Sequence, residues 1–247
     1  MTNEGGRVTW LGHSTAVIEL DGVRLLTDPL LRRRAAHLRR VAPPVRELSR
    51  VDTVLVSHAH WDHLDLRSLE LLGRDVRVVL PRGAAKLLRR RGFGNVTEVE
   101  EGEHVDVGAV VVRATHAEHS PGRGPIGTRS PALGYTVEGT RSVYFAGDTD
   151  RFDGMARLAP SLDVALLPVA GWGARIPAGH LDAVAAAESL VLLRPRIAIP
   201  IHWGTFAPFY RGVPHNADAG LRFAEHARRV APDVEVRVLA PGESTPI

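Results

Sequence analysis

Cysteine is absent from the 247 residues. That excludes disulfides and every thiolate metal site, so imidazole and carboxylate are the strong ligands left to the chain. Lysine is nearly absent as well: Lys86 is the sole one among 31 basic residues, and almost all positive charge is guanidinium. Such a bias often follows genome base composition, but planar guanidinium forks also suit phosphate or carboxylate. The densest cluster, L-L-R-R-R-A-A-H-L-R-R at 30–40, is short and isolated, and the formal net charge is only +3. A nucleic-acid partner is therefore not expected. No run of about 18 or more apolar residues is present to form a membrane-spanning helix. The opening M-T-N-E-G-G-R lacks the apolar stretch of a secretory signal, so a cytoplasmic location is expected. What the chain does have is 44% hydrophobic residues, enough for a sizeable core, and residues 1–247 read as one α/β domain.

The chemistry gathers at residues 54–63, V-L-V-S-H-A-H-W-D-H. Val54 to Val56 reads as a buried strand. It runs straight into four ligand types, His58, His60, Asp62 and His63. In an extended segment side chains alternate, so His58 and His60 share a side. A turn at Trp61 and Asp62 swings Asp62 and His63 towards a second point, and one loop can then serve two adjacent ions. A buried histidine without a partner costs on the order of 1–3 kcal/mol, so the cluster is expected where something coordinates it. Imidazole with carboxylate favours zinc, with manganese, iron or nickel as alternatives. The pattern resembles the H-x-H-x-D-H signature of the metallo-β-lactamase superfamily.

Residues 7–27 read as two alternating apolar runs joined by Asp21-Gly22, a dipeptide suited to a type I′ hairpin turn. Arg32 to Pro44 has helical composition until two prolines stop it. The metal loop is followed by a helix near Asp65–Leu72, a strand at Val76–Leu80 and a basic helix near Arg82–Arg91. Short alternating segments return at Val110–Ala114, Leu133–Glu138 and Ser142–Ala146, interrupted by a Gly/Pro-rich loop, Ser120–Pro131. Beyond lie a strand at Asp163–Pro168, a helix at Leu181–Leu193 and a strand at Arg196–Pro200. A last helix, near Ala217–Val230, has Leu221, Phe223, Ala224, Ala227 and Val230 as its expected apolar face. Two sets of strands, each followed by helices, predict a four-layer αββα sandwich with its site at an edge where strand ends meet.

Three later stretches place further ligand types at strand ends. A-T-H-A-E-H-S-P-G-R offers His116 and His119, either of which completes a three-histidine site with His58 and His60. V-Y-F-A-G-D-T brings Asp148, whose two oxygens can bridge two cations, and I-A-I-P-I-H-W-G-T-F brings His202 to stand beside Asp62 and His63. The assembled expectation is two divalent transition-metal ions with Asp148 between them. Ions roughly 3.5–4 Å apart can hold a bridging hydroxide and polarise a substrate oxygen.

W-L-G-H-S-T-A-V-I-E-L-D-G-V-R-L-L-T-D-P, A-E-H-S-P-G-R and I-H-W-G-T-F are similar to the branch that contains L-ascorbate-6-phosphate lactonase and N-acyl-phosphatidylethanolamine phospholipase D. The resemblance covers nearly the whole chain. It implies a metal-dependent hydrolase, and it makes His119, ahead of Arg123, the ligand rather than His116, a position where relatives usually carry proline. Asp28 resembles a carboxylate that orients a metal-binding histidine. His13 stands beside the mouth, more readily explained as a satisfied structural residue, and His180 resembles a pocket-lining position. Trp172, Arg123 and the Arg-rich segment 32–40 are expected to shape the pocket. The expected substrate is a small anionic ester, phosphodiester or lactone, the alternatives being a nuclease and a glyoxalase-type thioester hydrolase. A glutamate in place of His60 would have pointed to a di-iron protein. A homo-oligomer is left open.

Overall fold

The computed structural model describes residues 5–45, 48–120, 130–158, 161–171, 176–214 and 216–247. Arg123 and Trp172 lie outside the described residues. Two seven-stranded sheets dominate. The first runs, edge to edge, Ser244–Pro246, Arg7–Gly12, Thr15–Leu20, Val23–Thr27, Thr53–Leu55, Arg77–Pro81 and Val96–Val99. The second runs Glu235–Val236, Ile197–Ile201, Val164–Pro168, Ser142–Phe145, Leu133–Glu138, Val110–His116 and His104–Val107.

The reason for the stacking can be read along single strands. Leu55 faces a core cluster shared by both sheets, while its neighbours Val54 and Val56 face a second cluster with Leu69 and Leu88 of the helices Leu66–Leu72 and Ala85–Arg89. Likewise Val164 and Leu166 join the shared core, and Ala165 and Leu167 pack with the helices Ala183–Leu193 and Ala219–Val230. Continuous apolar runs are what strands covered on both faces require. The result is the expected helix, sheet, sheet, helix order, an α/β sandwich of the metallo-β-lactamase type.

Within each sheet the central strands are parallel: Val23–Thr27 with Thr53–Leu55, and Ser142–Phe145 with Val164–Pro168 and Ile197–Ile201. Their carboxyl ends lead into Asp28, the 57–63 loop, Asp148, Ala170 and His202. Parallel α/β sheets present their ligand sites at such ends.

Several expectations fare differently. The Asp21-Gly22 turn has φ of 50° and 79° at its two residues, as a type I′ turn demands. The stretch before it is not one run but two strands, split by a tight turn in which Gly12 has φ 108° and His13 φ 54°. Arg32–Pro44 is not helical. Arg34–Ala35 and Leu38–Arg40 form a hairpin, extended by Phe206–Pro208 into a three-stranded ribbon. Ala35 and Leu38, whose spacing also suits a helix, are buried here with Leu30 and Phe206, so distant pairing overrides local propensity. In the last helix Leu221 is 63% exposed, and the buried face is Ala219, Gly220, Phe223, Ala224 and Ala227. Gly220 belongs to it because the Trp203 ring lies where a Cβ would stand, 2.4 Å away.

Candidate metal centre

Gly147 sets the approach of the two sheets at the site. Its φ is 62°, and a Cβ there would stand 2.5 Å from that of Ser57. Strand ends of different sheets thus nearly touch, and Asp148 is delivered against the 57–63 loop.

Asp28, fully buried, is the hub of the hydrogen bonds that orient the loop histidines. It accepts from the Ser57 amide (2.7 Å), the Ser57 hydroxyl (2.5 Å) and Nδ1 of His63 (2.7 Å). Because the Ser57 hydroxyl spends its proton on Asp28, its oxygen is an acceptor for His58 Nδ1 at 2.9 Å. Both histidines are therefore held with Nδ1 protonated and Nε2 turned inward. Nδ1 of His119 donates to the Gly179 carbonyl (2.6 Å) and Nδ1 of His202 to the Ala170 carbonyl (2.8 Å), with the same consequence. Outer partners that fix tautomer and ring orientation are a regular accompaniment of metal-binding histidines.

Two groups of inward atoms result. In one, His60 Nδ1 lies 2.8 Å from His58 Nε2 and 3.1 Å from His119 Nε2. In the other, the ligand atoms of His13, Asp62, His63 and His202 lie within 4.8 Å of one another, all four residues buried. Asp148 lies against the second group, Oδ2 being 3.1 Å from His63 Nε2 and Oδ1 3.4 Å from His202 Nε2. Its Oδ1 is buried and makes no hydrogen bond among the described residues. His180 Nε2 stands 3.5 Å from Asp148, its ring edge-on to that of His119.

Burial holds His119 down to about 4, and burial with His202 holds His13 down to about 3; burial also keeps His58 and His202 below the ordinary histidine value. Burial would raise Asp62 and Asp148, but the surrounding imidazoles, His63 for Asp62 and His202 for Asp148 foremost, hold both well below the usual carboxylate range. Burial would lower His63, yet Asp148, Asp62 and Asp28 keep it well above its ordinary value. Imidazoles that burial keeps from charging, beside ionised carboxylates, form a donor set for a cation, which on binding would replace the proton held on His63. The converging ring nitrogens and the buried Asp148 oxygen that makes no hydrogen bond among the described residues fit such a cation.

Of the sequence-predicted residues, His58, His60, Asp62, His63, His119, Asp148 and His202 are brought together, with Asp28 beneath them and His13 and His180 at their sides. His116 is not. It is half exposed at its strand end, 3.1 Å from Glu101 and 3.4 Å from Glu118, three residues short of the turn that aims His119 inward. Ser57 and the carbonyls of Ala170 and Gly179 escaped sequence reasoning. A backbone carbonyl carries no residue signature, and Ser57 would alternate away from His58.

The family described as a β-lactamase superfamily domain matches residues 23–203. A metal-dependent hydrolase of Methanopyrus kandleri is 34% identical over 96% of this chain and 98% of its own length. An N-acyl-phosphatidylethanolamine-hydrolyzing phospholipase D of Caenorhabditis elegans is 32% identical over 80% of this chain and 64% of its own. Among solved structures, a metallo hydrolase from Ignicoccus hospitalis superposes with a TM-score of 0.75 at 23% identity, covering 98% of both chains. A di-iron β-hydroxylase from Streptomyces venezuelae shares the fold at 20% identity and TM-score 0.72, over 100% of this chain and 54% of that one. This chain belongs to the β-lactamase superfamily, among its metal-dependent hydrolases.

Proposed function

We propose that the chain hydrolyses a small anionic ester at two divalent transition-metal ions, zinc by preference, and that phosphodiesters and lactones are its leading substrate classes. The observation that carries this reading is the convergence of inward ligand atoms whose outer nitrogens are pinned by Ser57, Asp28, Gly179 and Ala170. His58, His60 and His119 would hold one ion, Asp62, His63 and His202 the other, and Asp148 would stand between. When bound, such a pair lowers the pKa of water towards about 7 and polarises the scissile ester oxygen. The residues supply the rest. Asp28 and the two backbone carbonyls fix the rings with Nε2 inward; burial keeps His58, His119 and His202 below the ordinary value, while the inward proton of His63 is the one a cation would displace. His180, 3.5 Å from Asp148 and with its side chain 18% exposed, is placed to touch a substrate oxygen or hand a proton to a leaving group.

The phospholipase relative supports the phosphodiester class, and the exposed Arg33, Arg34 and Arg39 of the segment 32–40 offer guanidinium groups to an anion. Elemental analysis of the purified protein combined with turnover of a panel of phosphodiesters, lactones and thioesters tests the proposal. Up to two ions per chain, with hydrolysis of a phosphodiester or lactone, is expected. Full activity in metal-free protein would sink it, and preferential thioester or nucleic-acid cleavage would replace the substrate class.

A further inference from the structure

We infer that His13 is a positioning residue of this centre, its ring holding the Asp62 carboxylate while its own backbone carbonyl holds His202. The inference rests on the metal-binding reading above. His13 adopts φ 54°, a left-handed conformation that is strained for a residue with a Cβ. Three backbone contacts accompany that strain. The carbonyl accepts from Trp10 Nε1 (2.8 Å) and from the His202 amide (2.9 Å), and the amide donates to Thr205 Oγ1 (2.8 Å). The turn is pressed onto the 202–206 segment so closely that a Cβ on Gly12 would stand 2.7 Å from the Thr205 side chain.

From that backbone the ring points into the centre. It is 1% exposed, its Nε2 lies 3.3 Å from Asp62 Oδ2, and its centroid is 4.1 Å from that of His202. Asp62 follows a strand of the first sheet and His202 follows a strand of the second. His13, from a turn near the first sheet's edge, contacts both, and so ties two donors from different sheets into one register. A residue serving only to fill space would not aim a ring nitrogen at a buried carboxylate.

Competition with a chromophoric chelator, using zinc and cobalt(II) on the full chain, separates the two ion positions without any substrate. His13→Ala is expected to weaken one position about 10–100-fold and leave the other within about threefold, the range seen when a partner of a ligand is removed. His13→Gln, whose amide nitrogen can reach Asp62, is expected to recover most of that affinity. Melting of the metal-free variants checks folding, and if His13→Ala does not fold, His13→Asn, which tolerates the left-handed backbone but is too short to reach Asp62, takes its place with the same loss expected. Unchanged affinity at both positions in His13→Ala, or a cobalt spectrum showing that His13→Gln has lost one imidazole from the ion itself, would overturn the inference. Wild-type protein that takes up no ion would instead overturn the functional reading on which it stands.

Discussion

The two halves of the centre are built differently. His58, His60 and His119 form an open half: the latter two are only partly buried, and His119 is held by a single carbonyl from a glycine. Asp62, His63 and His202 form a sealed half, every residue buried and braced by His13, Asp28 and the Ala170 carbonyl. Asp148 reaches the sealed half most closely and has an oxygen left over. The difference separates two tasks. A sealed, charged half suits tight retention of an ion, and an open, neutral half suits exchange with substrate and solvent.

Breaking the division at its centre should have the largest effect. Asp148→Asn keeps the shape and removes the negative charge next to both sets of donors, and kcat on whichever ester the panel selects should fall at least ~100-fold. Asp62→Asn should deplete the sealed half preferentially, so metal counting on the two variants distinguishes a shared carboxylate from a private one. Asp28→Asn comes next, with a loss of about 10–100-fold in metal affinity. Since Asp28 braces His63 directly and His58 through Ser57, chelator titration should find both halves weakened and the sealed half more so.

A third effect is read in metal-free protein as a function of pH. His119 is held at about 4 in the fold against 6.5 when unfolded. Between those values the unfolded chain takes up a proton that the folded one refuses, so the stabilisation is complete above about pH 6.5 and is lost as pH falls towards 4. His119 alone accounts for on the order of 3 kcal/mol of that loss. His63 acts the opposite way, contributing below about 6.5 and losing its contribution as pH rises through its elevated value. Denaturant melts from pH 4 to 7 should show the acid limb, shallower by about one proton in His119→Ala. The smallest effect is expected from His116→Ala, which should leave metal content and melting temperature within error, because its ring meets exposed glutamates outside both halves. A lost ion in that variant would move the third histidine by three residues.

Sheets covered on both faces are legible in the sequence because Val54–Val56 and Ile197–Ile201 have no polar interruption, and the loop at 58–63 because four ligand types in so few positions have few other uses. His13 is hard to weigh from sequence because the alternation continues on either side of it, and the left-handed turn that aims it inward is held by Thr205 and His202, nearly two hundred residues away. The ribbon at 34–40 passes for a helix for a related reason: its pairing partner is Phe206–Pro208, and no local pattern announces a strand completed from so far off. Asp28 can be read as a brace, but its reach through Ser57 to His58 depends on a hydroxyl orientation that only the fold creates.

The contact between Gly147 and Ser57 makes the sandwich behave as a calliper. Its jaws are two strand ends, one from each sheet, and they gauge the gap between Asp148 and the histidines that come after Ser57. Any change of side-chain volume deep between the sheets, at Leu55 or Phe145 for instance, is transmitted to that gap without touching a ligand. The spacing of the centre is thus a property of the whole hydrophobic interior, and drift in the core of such a protein is a means of retuning its chemistry.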